Sequence, residues 1–305
     1  MCETCGCNIT HGNEHLVRAD GKHAQTADGR AAVEVLASLL GENDHQAAHN
    51  RAHFDSHGVL AVNLMSSPGA GKTSLLEATI EALGDSLRIA VIEGDLETEN
   101  DAERIRAKGV DAIQIATGSA CHLDAHMVHD ALHRLDLSGV DVLFIENVGN
   151  LVCPASFDLG QHRNITLLSV PEGDDKPAKY PVMFRAADLV LLTKADLLAY
   201  LDDFDPTRAE GFLRQLASTA PFLRLSSRQG AGGIGPWLDW VLAEVAAQRA
   251  RVEQGQTLRP SIQPDGMHLH DAEHGGHHHH HGHEHTHGHA HGHHHHHEHL
   301  HGHDE

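Results

Sequence analysis

The chain has 305 residues, with 22 Lys and Arg against 43 Asp and Glu, a formal charge of −21. That balance argues against unaided binding to nucleic acid or an anionic membrane, both of which require positive charge. No apolar run approaches the ~18 residues of a membrane span, and the start, MCETCGCNIT, lacks a secretory signal pattern. Secreted, membrane-spanning and DNA-reading classes therefore drop out, and a cytoplasmic protein is expected.

In chain order, residues 1–7 hold Cys2, Cys5 and Cys7, and residues 8–30 are polar with no apolar period, which reads as a linker. Across 31–57 the recurrence of Ala32, Val35, Leu36, Leu39 and Leu40 predicts a helix. Gly41 is expected to interrupt it, with Ala47, Ala48 and Phe54 continuing the apolar face. From 58 to 252, short apolar runs alternate with amphipathic stretches. The runs are Val59–Met65, Arg88–Glu93, Ala112–Ala116, Val142–Asn147, Ile165–Val170, Asp188–Thr193 and Phe222–Ser226. Such near-continuous runs suit strands buried on both faces, hence a mostly parallel sheet. Helices are expected at 73–83, 98–108, 122–135, 206–219 and 234–252. The alternation predicts a doubly wound α/β domain. Trp237 and Trp240 read as core anchors of the last helix. A linker at 253–266 leads to residues 267–305, which contain 21 of the 33 histidines and no Lys or Arg. Such a tail cannot build a core and is expected to be disordered without metal.

After the first apolar run comes Ser66-Ser67-Pro68-Gly69-Ala70-Gly71-Lys72-Thr73-Ser74, opening into the Leu75/Leu76 helix. This is the P-loop arrangement in its strand-to-helix context. Backbone N–H groups of Gly69, Ala70 and Gly71 can cradle phosphate, Lys72 can reach the β/γ-phosphates, and the Thr73 hydroxyl suits Mg²⁺. Ser66 stands where the consensus has its first glycine. Asp95 and Glu146 fall at carboxyl ends of expected parallel strands, where such sheets bind ligands. Lys72, Thr73, Asp95 and Glu146 are thus the catalytic candidates, with the Thr73 hydroxyl suited to Mg²⁺ and Asp95 and Glu146 as candidates to contact it directly or through water. In Thr193-Lys194-Ala195-Asp196 the Asp196 carboxylate can accept two hydrogen bonds from guanine, which adenine cannot donate. Lys194 can lie along the base and Ser226-Ser227 can support it. Thr193 departs from the asparagine of the GTPase consensus.

The remaining chemistry lies in thiols and imidazoles. Cys2-x-x-Cys5-Gly6-Cys7 in a cytosolic chain points to metal binding or redox chemistry. A fourth donor, such as the α-amine of Cys2 if Met1 is removed, would complete a square-planar Ni²⁺ or tetrahedral Zn²⁺ site. Cys121, His122 and Cys153 could bind Zn²⁺ or Ni²⁺ in an open site or one shared across a two-fold dimer, although spacing alone reads equally as buried apolar cysteines. His126, His129 and His133 read as solvated. The tail runs His277, His278, His279, His280, His281 and His293, His294, His295, His296, His297 make a chelating tract for borderline cations. Its interspersed Gly, Glu, Thr and Ala set it apart from a purification tag.

Three stretches resemble the HypB family of GTPases, which help insert nickel into nickel–iron hydrogenase. They are Asn63–Thr73, Val91–Asp95 and Phe144–Pro154, and with them the Cys2–Cys7 start. The resemblance covers about residues 31–252. It implies a P-loop GTPase of the SIMIBI-like kind, a GTP-dependent homodimer, and a nickel or zinc site of Cys121, His122 and Cys153 near the subunit interface; slow GTP turnover is expected because no arginine finger is identifiable in the sequence. It also implies a tighter nickel site at Cys2, Cys5 and Cys7, a HypA-type metallochaperone partner, and delivery to a hydrogenase large-subunit precursor. Neither nucleic acid nor membrane is an expected partner. Many relatives place a histidine-rich region near the N-terminus, whereas here it follows the GTPase domain, so storage or buffering is its expected role. Rival readings are a urease-type nickel GTPase, a nickel storage protein with a vestigial GTP site, and an adenylate-using kinase.

Overall fold

The computed structural model describes residues 32–95, 100–118 and 120–260, with backbone alone over 32–39. The expectations for Cys2, Cys5 and Cys7, for the 8–30 linker and for the 267–305 histidine tail lie outside the described residues.

Seven strands form one wholly parallel sheet: β1 (Leu60–Ser66), β2 (Ile89–Asp95), β3 (Asp111–Ala116), β4 (Val142–Glu146), β5 (Arg163–Ser169), β6 (Leu189–Thr193) and β7 (Phe222–Arg224). Their order is β3-β2-β4-β1-β5-β6-β7. Every expected run became a strand, within two residues at most ends. The helices are α1 (Ala32–His57), α2 (Lys72–Leu83), α3 (Asn100–Arg106), α4 (Ala125–Leu132), α5 (Lys176–Lys179), α6 (Pro181–Arg185), α7 (Pro206–Gln215) and α8 (Ala231–Glu253). The short α5 and α6 were not legible from periodicity, because neither spans two full turns.

Alternate residues of the central strands feed opposite faces. Phe144 packs with Leu76, Trp237 and Val241 beneath α2 and α8, whereas Leu143 and Ile145 pack with Phe54, Leu123 and Val128 beneath α1 and α4. A third cluster, around Met183, Phe184 and Leu213, closes the β5–β6 end. Trp237 is fully buried and Trp240 stacks on it at 5.5 Å. The Trp237 indole donates to the Thr79 hydroxyl at 2.8 Å. Thr79→Val keeps the volume but strands that buried N–H, and should cost about 1–3 kcal/mol in chemical denaturation.

Gly41 does not interrupt α1, contrary to the sequence expectation. A mid-helix glycine costs only about 1 kcal/mol, and tertiary bonds outweigh it. Asn43 donates to the Asp158 carbonyl at 2.8 Å and accepts from Ala125 N–H at 2.9 Å. Asn50 donates to the carbonyls of Ala125 and Leu159 at 2.8 and 3.0 Å. Arg51 forms a buried pair with Asp158 at 2.7 Å. The helices expected at 122–135 and 206–219 are shorter. α4 starts only after Asp124, whose carboxylate caps Met127 N–H at 2.8 Å, which leaves Cys121 and His122 in a loop. α7 ends at Gln215, after which Ala217 takes a left-handed φ of 57°.

Candidate functional site

Strand order determines what meets at the carboxyl edge. The chain runs from β1 out to β2 and β3, returns through β4, then continues on the other side of β1 with β5. Ligands bind parallel sheets at such a switch point. The β1–α2 turn lies there, with Gly69 and Gly71 at φ 74° and 101°, conformations that favour glycine. Lys72 is buried, its ammonium donating to Ser66 Oγ at 3.1 Å. The serine that replaces the consensus glycine thus holds the lysine over the turn.

Thr73, the second residue of α2, donates its hydroxyl to Glu146 Oε1 at 2.9 Å. β4 lies between β1 and β2, so Glu146 stands in register with Leu64 on one side and Glu93 on the other. Oxygens of Glu93, Asp101 and Glu146 lie within 4.8 Å of one another. Sequence reading missed Glu93 and Asp101. The available signal was an acid ending an otherwise apolar strand, beside a second strand ending the same way. Asp95, expected to contact the cation together with Glu146, ends β2 half-buried outside that trio, and its carbonyl accepts from Thr117 N–H at 2.9 Å.

Burial, then the charges of Glu146, Asp101 and Asp95, push Glu93 up to about 8. Burial pushes Glu146 up to about 7, against the pull of Lys72 and the Thr73 bond. Oε2 of each is buried with no hydrogen-bond partner among the described residues. Two orphaned carboxylate oxygens beside a threonine hydroxyl suit a hard divalent cation, so the donors fit Mg²⁺. Between the unfolded-state pKa near ~4.3 and these raised values, the folded protein binds more protons than the unfolded chain. Stability of the ligand-free protein should therefore fall as pH rises from about 5 to about 8. Thermal midpoints measured across that window should decline, and Glu93→Gln should flatten the decline.

On the other side of β1, Thr193 Oγ1 donates to the Ala70 carbonyl at 2.7 Å and Lys194 Nζ to the Gly69 carbonyl at 2.7 Å. The Thr193 departure therefore joins the β6 loop to the phosphate turn. Lys194 sits at a left-handed φ of 54°, which sets the following turn. Asp196 Oδ1 accepts from Ser226 Oγ at 2.7 Å, so the carboxylate and its expected support meet. Ser74, on the first turn of α2, is exposed.

Cys121, His122 and Cys153 come together although 32 positions separate the thiols: Sγ to Sγ is 3.0 Å, and Cys121 Sγ lies 3.6 Å from His122 Nδ1. All three ligand atoms fall within 4.8 Å of one another. His122 stacks on Phe157 at 4.0 Å, and burial lowers its pKa against the opposing charge of Asp124. A neutral, oriented imidazole beside two thiols is a donor set for a borderline cation.

The two centres share a segment. Asn147, next to Glu146, accepts from Leu123 N–H at 3.1 Å and donates to Asn63 Oδ1 at 3.3 Å. Asn150 donates to the Cys121 carbonyl at 3.3 Å. A Cβ on Gly149 would lie 2.9 Å from Pro68 N and Cα, so the loop carrying Cys153 rests directly on the phosphate turn. Neither asparagine role was visible in the sequence, because each bonds across the sheet edge.

A phosphate cradle at a parallel switch point, flanked by buried acids, defines a P-loop nucleotide-binding protein. Residues 60–224 match the nucleotide-binding domain of the CobW/HypB/UreG family. The hydrogenase maturation factor HypB of Azotobacter vinelandii is 51% identical over 232 residues, covering 76% of each chain. The crystal structure of HypB from Helicobacter pylori in complex with nickel is 42% identical, with a TM-score of 0.65 over 68% of this chain and 97% of that one. The HypB structure from Archaeoglobus fulgidus is 38% identical, with a TM-score of 0.63 over 68% of this chain and 100% of that one. The chain belongs to the HypB family of hydrogenase maturation factors. Among the described residues, no helix is long and apolar enough to cross a membrane.

Proposed function

We propose that the protein is a GTP-hydrolysing nickel metallochaperone for nickel–iron hydrogenase. The observation that carries this reading is the shared segment 146–153, which holds a carboxylate at the phosphate cradle and a thiol of the Cys121/His122/Cys153 cluster. The nickel complex of the Helicobacter pylori relative supports nickel as the cargo, with Zn²⁺ an alternative occupant of the same donors.

In this reading, backbone N–H groups of Gly69–Lys72 and the Lys72 ammonium bind the phosphates of GTP, and Asp196 selects guanine. Thr73 and the acids at the ends of β2 and β4 would hold Mg²⁺, which supplies charge neutralisation at the phosphates. Glu146 exchanges its hydrogen bond with Thr73 as the site fills. That change passes through Asn147 and Gly149 to Cys153, altering the thiol geometry. Two chains in a GTP-dependent homodimer would complete the three-ligand site. Metal arrives from a HypA-type partner and leaves towards the hydrogenase large-subunit precursor in the cytoplasm. The Cys2, Cys5 and Cys7 terminus serves as a second nickel site, and the histidine tail buffers nickel.

Coupling of this kind is reciprocal. Nickel affinity of the full chain should differ between its GDP form and its complex with a non-hydrolysable GTP analogue, and Cys121→Ala should remove that difference. Equal affinities in both nucleotide states would sink the reading.

A further inference from the structure

On α2, Thr73 and Glu77 stand four residues apart and so share one side of the helix. Thr73 donates to Glu146 Oε1 at 2.9 Å. One turn on, Glu77 accepts Arg104 of α3 through both oxygens, from Nε at 3.1 Å and from a terminal nitrogen at 2.7 Å. The same guanidinium donates to Asp101 Oδ1 at 2.7 Å, three residues back on α3. An oxygen of Asp101 lies in turn within 4.8 Å of oxygens of Glu93 and Glu146. The contacts close a ring, from Thr73 through Glu146, Asp101, Arg104 and Glu77 back to α2. We infer that Arg104 is a positioning residue of the cation site: it clasps Asp101 to α2 so that this carboxylate joins those of Glu93 and Glu146. The inference rests on the proposed function, in which the acids ending β2 and β4 hold Mg²⁺ beside the nucleotide.

The space inside the ring is marked as a ligand site by more than its acidity. Glu93 and Glu146 are 2% and 3% exposed, and Oε2 of each is buried with no hydrogen-bond partner among the described residues. Their direction is set by strand register. Asp101 has no such support: it is half-buried on a helix of seven residues. Ile105 anchors that helix in the core, which places α3 without aiming Asp101. Arg104 supplies the aim, because a planar fork fixes two carboxylates at once, which a point charge on a flexible stem does not. It takes one oxygen of Asp101 and leaves the other for the cation or for one of the waters that Mg²⁺ retains. A second ion pair, Lys108 with Glu81, ties the same two segments one turn further along, away from Asp101. The Arg104 side chain is 45% exposed, and ion pairs in such positions add little stability, so its removal should leave the fold intact.

The test measures binding of a fluorescent, non-hydrolysable GTP analogue to the full chain as a function of free Mg²⁺. Magnesium is the probe because the imidazoles and thiols elsewhere in the chain are poor ligands for it. The unsubstituted chain should bind the analogue more tightly as Mg²⁺ rises, with a midpoint. Arg104→Gln should raise that midpoint about 10-fold, the lower end of what the outer partner of a metal ligand contributes, with unchanged affinity in EDTA. Lys108→Gln should leave the midpoint in place. In Arg104→Gln/Asp101→Asn the shift should equal that of Asp101→Asn alone, because Arg104 acts through Asp101. An unmoved midpoint in Arg104→Gln, a loss already complete in EDTA, an equal shift in Lys108→Gln, or additive shifts in the double variant would overturn the positioning role and leave the Mg²⁺ site standing. Analogue binding indifferent to Mg²⁺ in the unsubstituted chain would overturn both.

Discussion

Replacing Asp196 by asparagine is expected to lower the preference for GTP over ATP by about 100-fold or more. Hydrogen bonds to a charged acceptor contribute about 1.5–3 kcal/mol each. Guanine offers that carboxylate two donors, so the pair amounts to about 3–6 kcal/mol, or roughly 10²–10⁴ in affinity ratio. An asparagine turns one acceptor into a donor and places it against a donor on the base. The carboxylate is already held, with Oδ1 taking the Ser226 hydroxyl at 2.7 Å, so little reorganisation dilutes the effect. Competition binding with both nucleotides would measure it. An unchanged preference would remove Asp196 from base selection and favour an adenylate-using site. Ser226→Ala, which frees the carboxylate without removing it, should give a smaller loss in the same assay.

Gly149→Ala is expected to weaken nucleotide binding about 10- to 100-fold and to disturb the thiol pair at the same time. The added methyl would lie 2.9 Å from both Pro68 N and Pro68 Cα. These are backbone atoms of the phosphate turn, so no flexible side chain can move aside. Overpacking of this kind costs about 1–3 kcal/mol, and relief requires the turn and the 147–153 loop to separate. The result to look for is a simultaneous loss in two assays: nucleotide titration, and nickel-dependent protection of Cys121 and Cys153 from alkylation. A variant that binds nucleotide normally would show that the contact is incidental. One that loses nucleotide yet protects its thiols normally would show that the two centres are independent.

Much of this was legible in the sequence, for identifiable reasons. Strands buried on both faces leave near-continuous apolar runs, so all seven were placed, and the glycine–lysine–threonine turn declared itself through its strand-to-helix context. Residue types alone offered Cys121, His122 and Cys153 as one metal site no more strongly than as buried cysteines, since 32 positions of chain hide their proximity, and family resemblance tipped the reading. The carboxylate trio was only partly found, because pairing register rather than spacing puts Glu93 beside Glu146. Asp95, the better match by motif, lies outside that trio. Gly41 misled because local propensity is weak beside the bonds that Asn43, Asn50 and Arg51 make to distant loops.

β4 is bonded along both edges, to β1 and to β2, and so cannot slide along its neighbours without breaking ladders on each side. It acts as a fixed post. Asn147 and Asn150 are pegged to Leu123 and Cys121, so only the three residues beyond Asn150 remain as slack before the Cys153 sulfur. At about 3.3–3.6 Å per residue, that slack spans little more than about 10 Å. A cysteine on so short a leash stays against this face of the molecule, so an ion held by the proposed Cys121/His122/Cys153 donors would have to be taken up there.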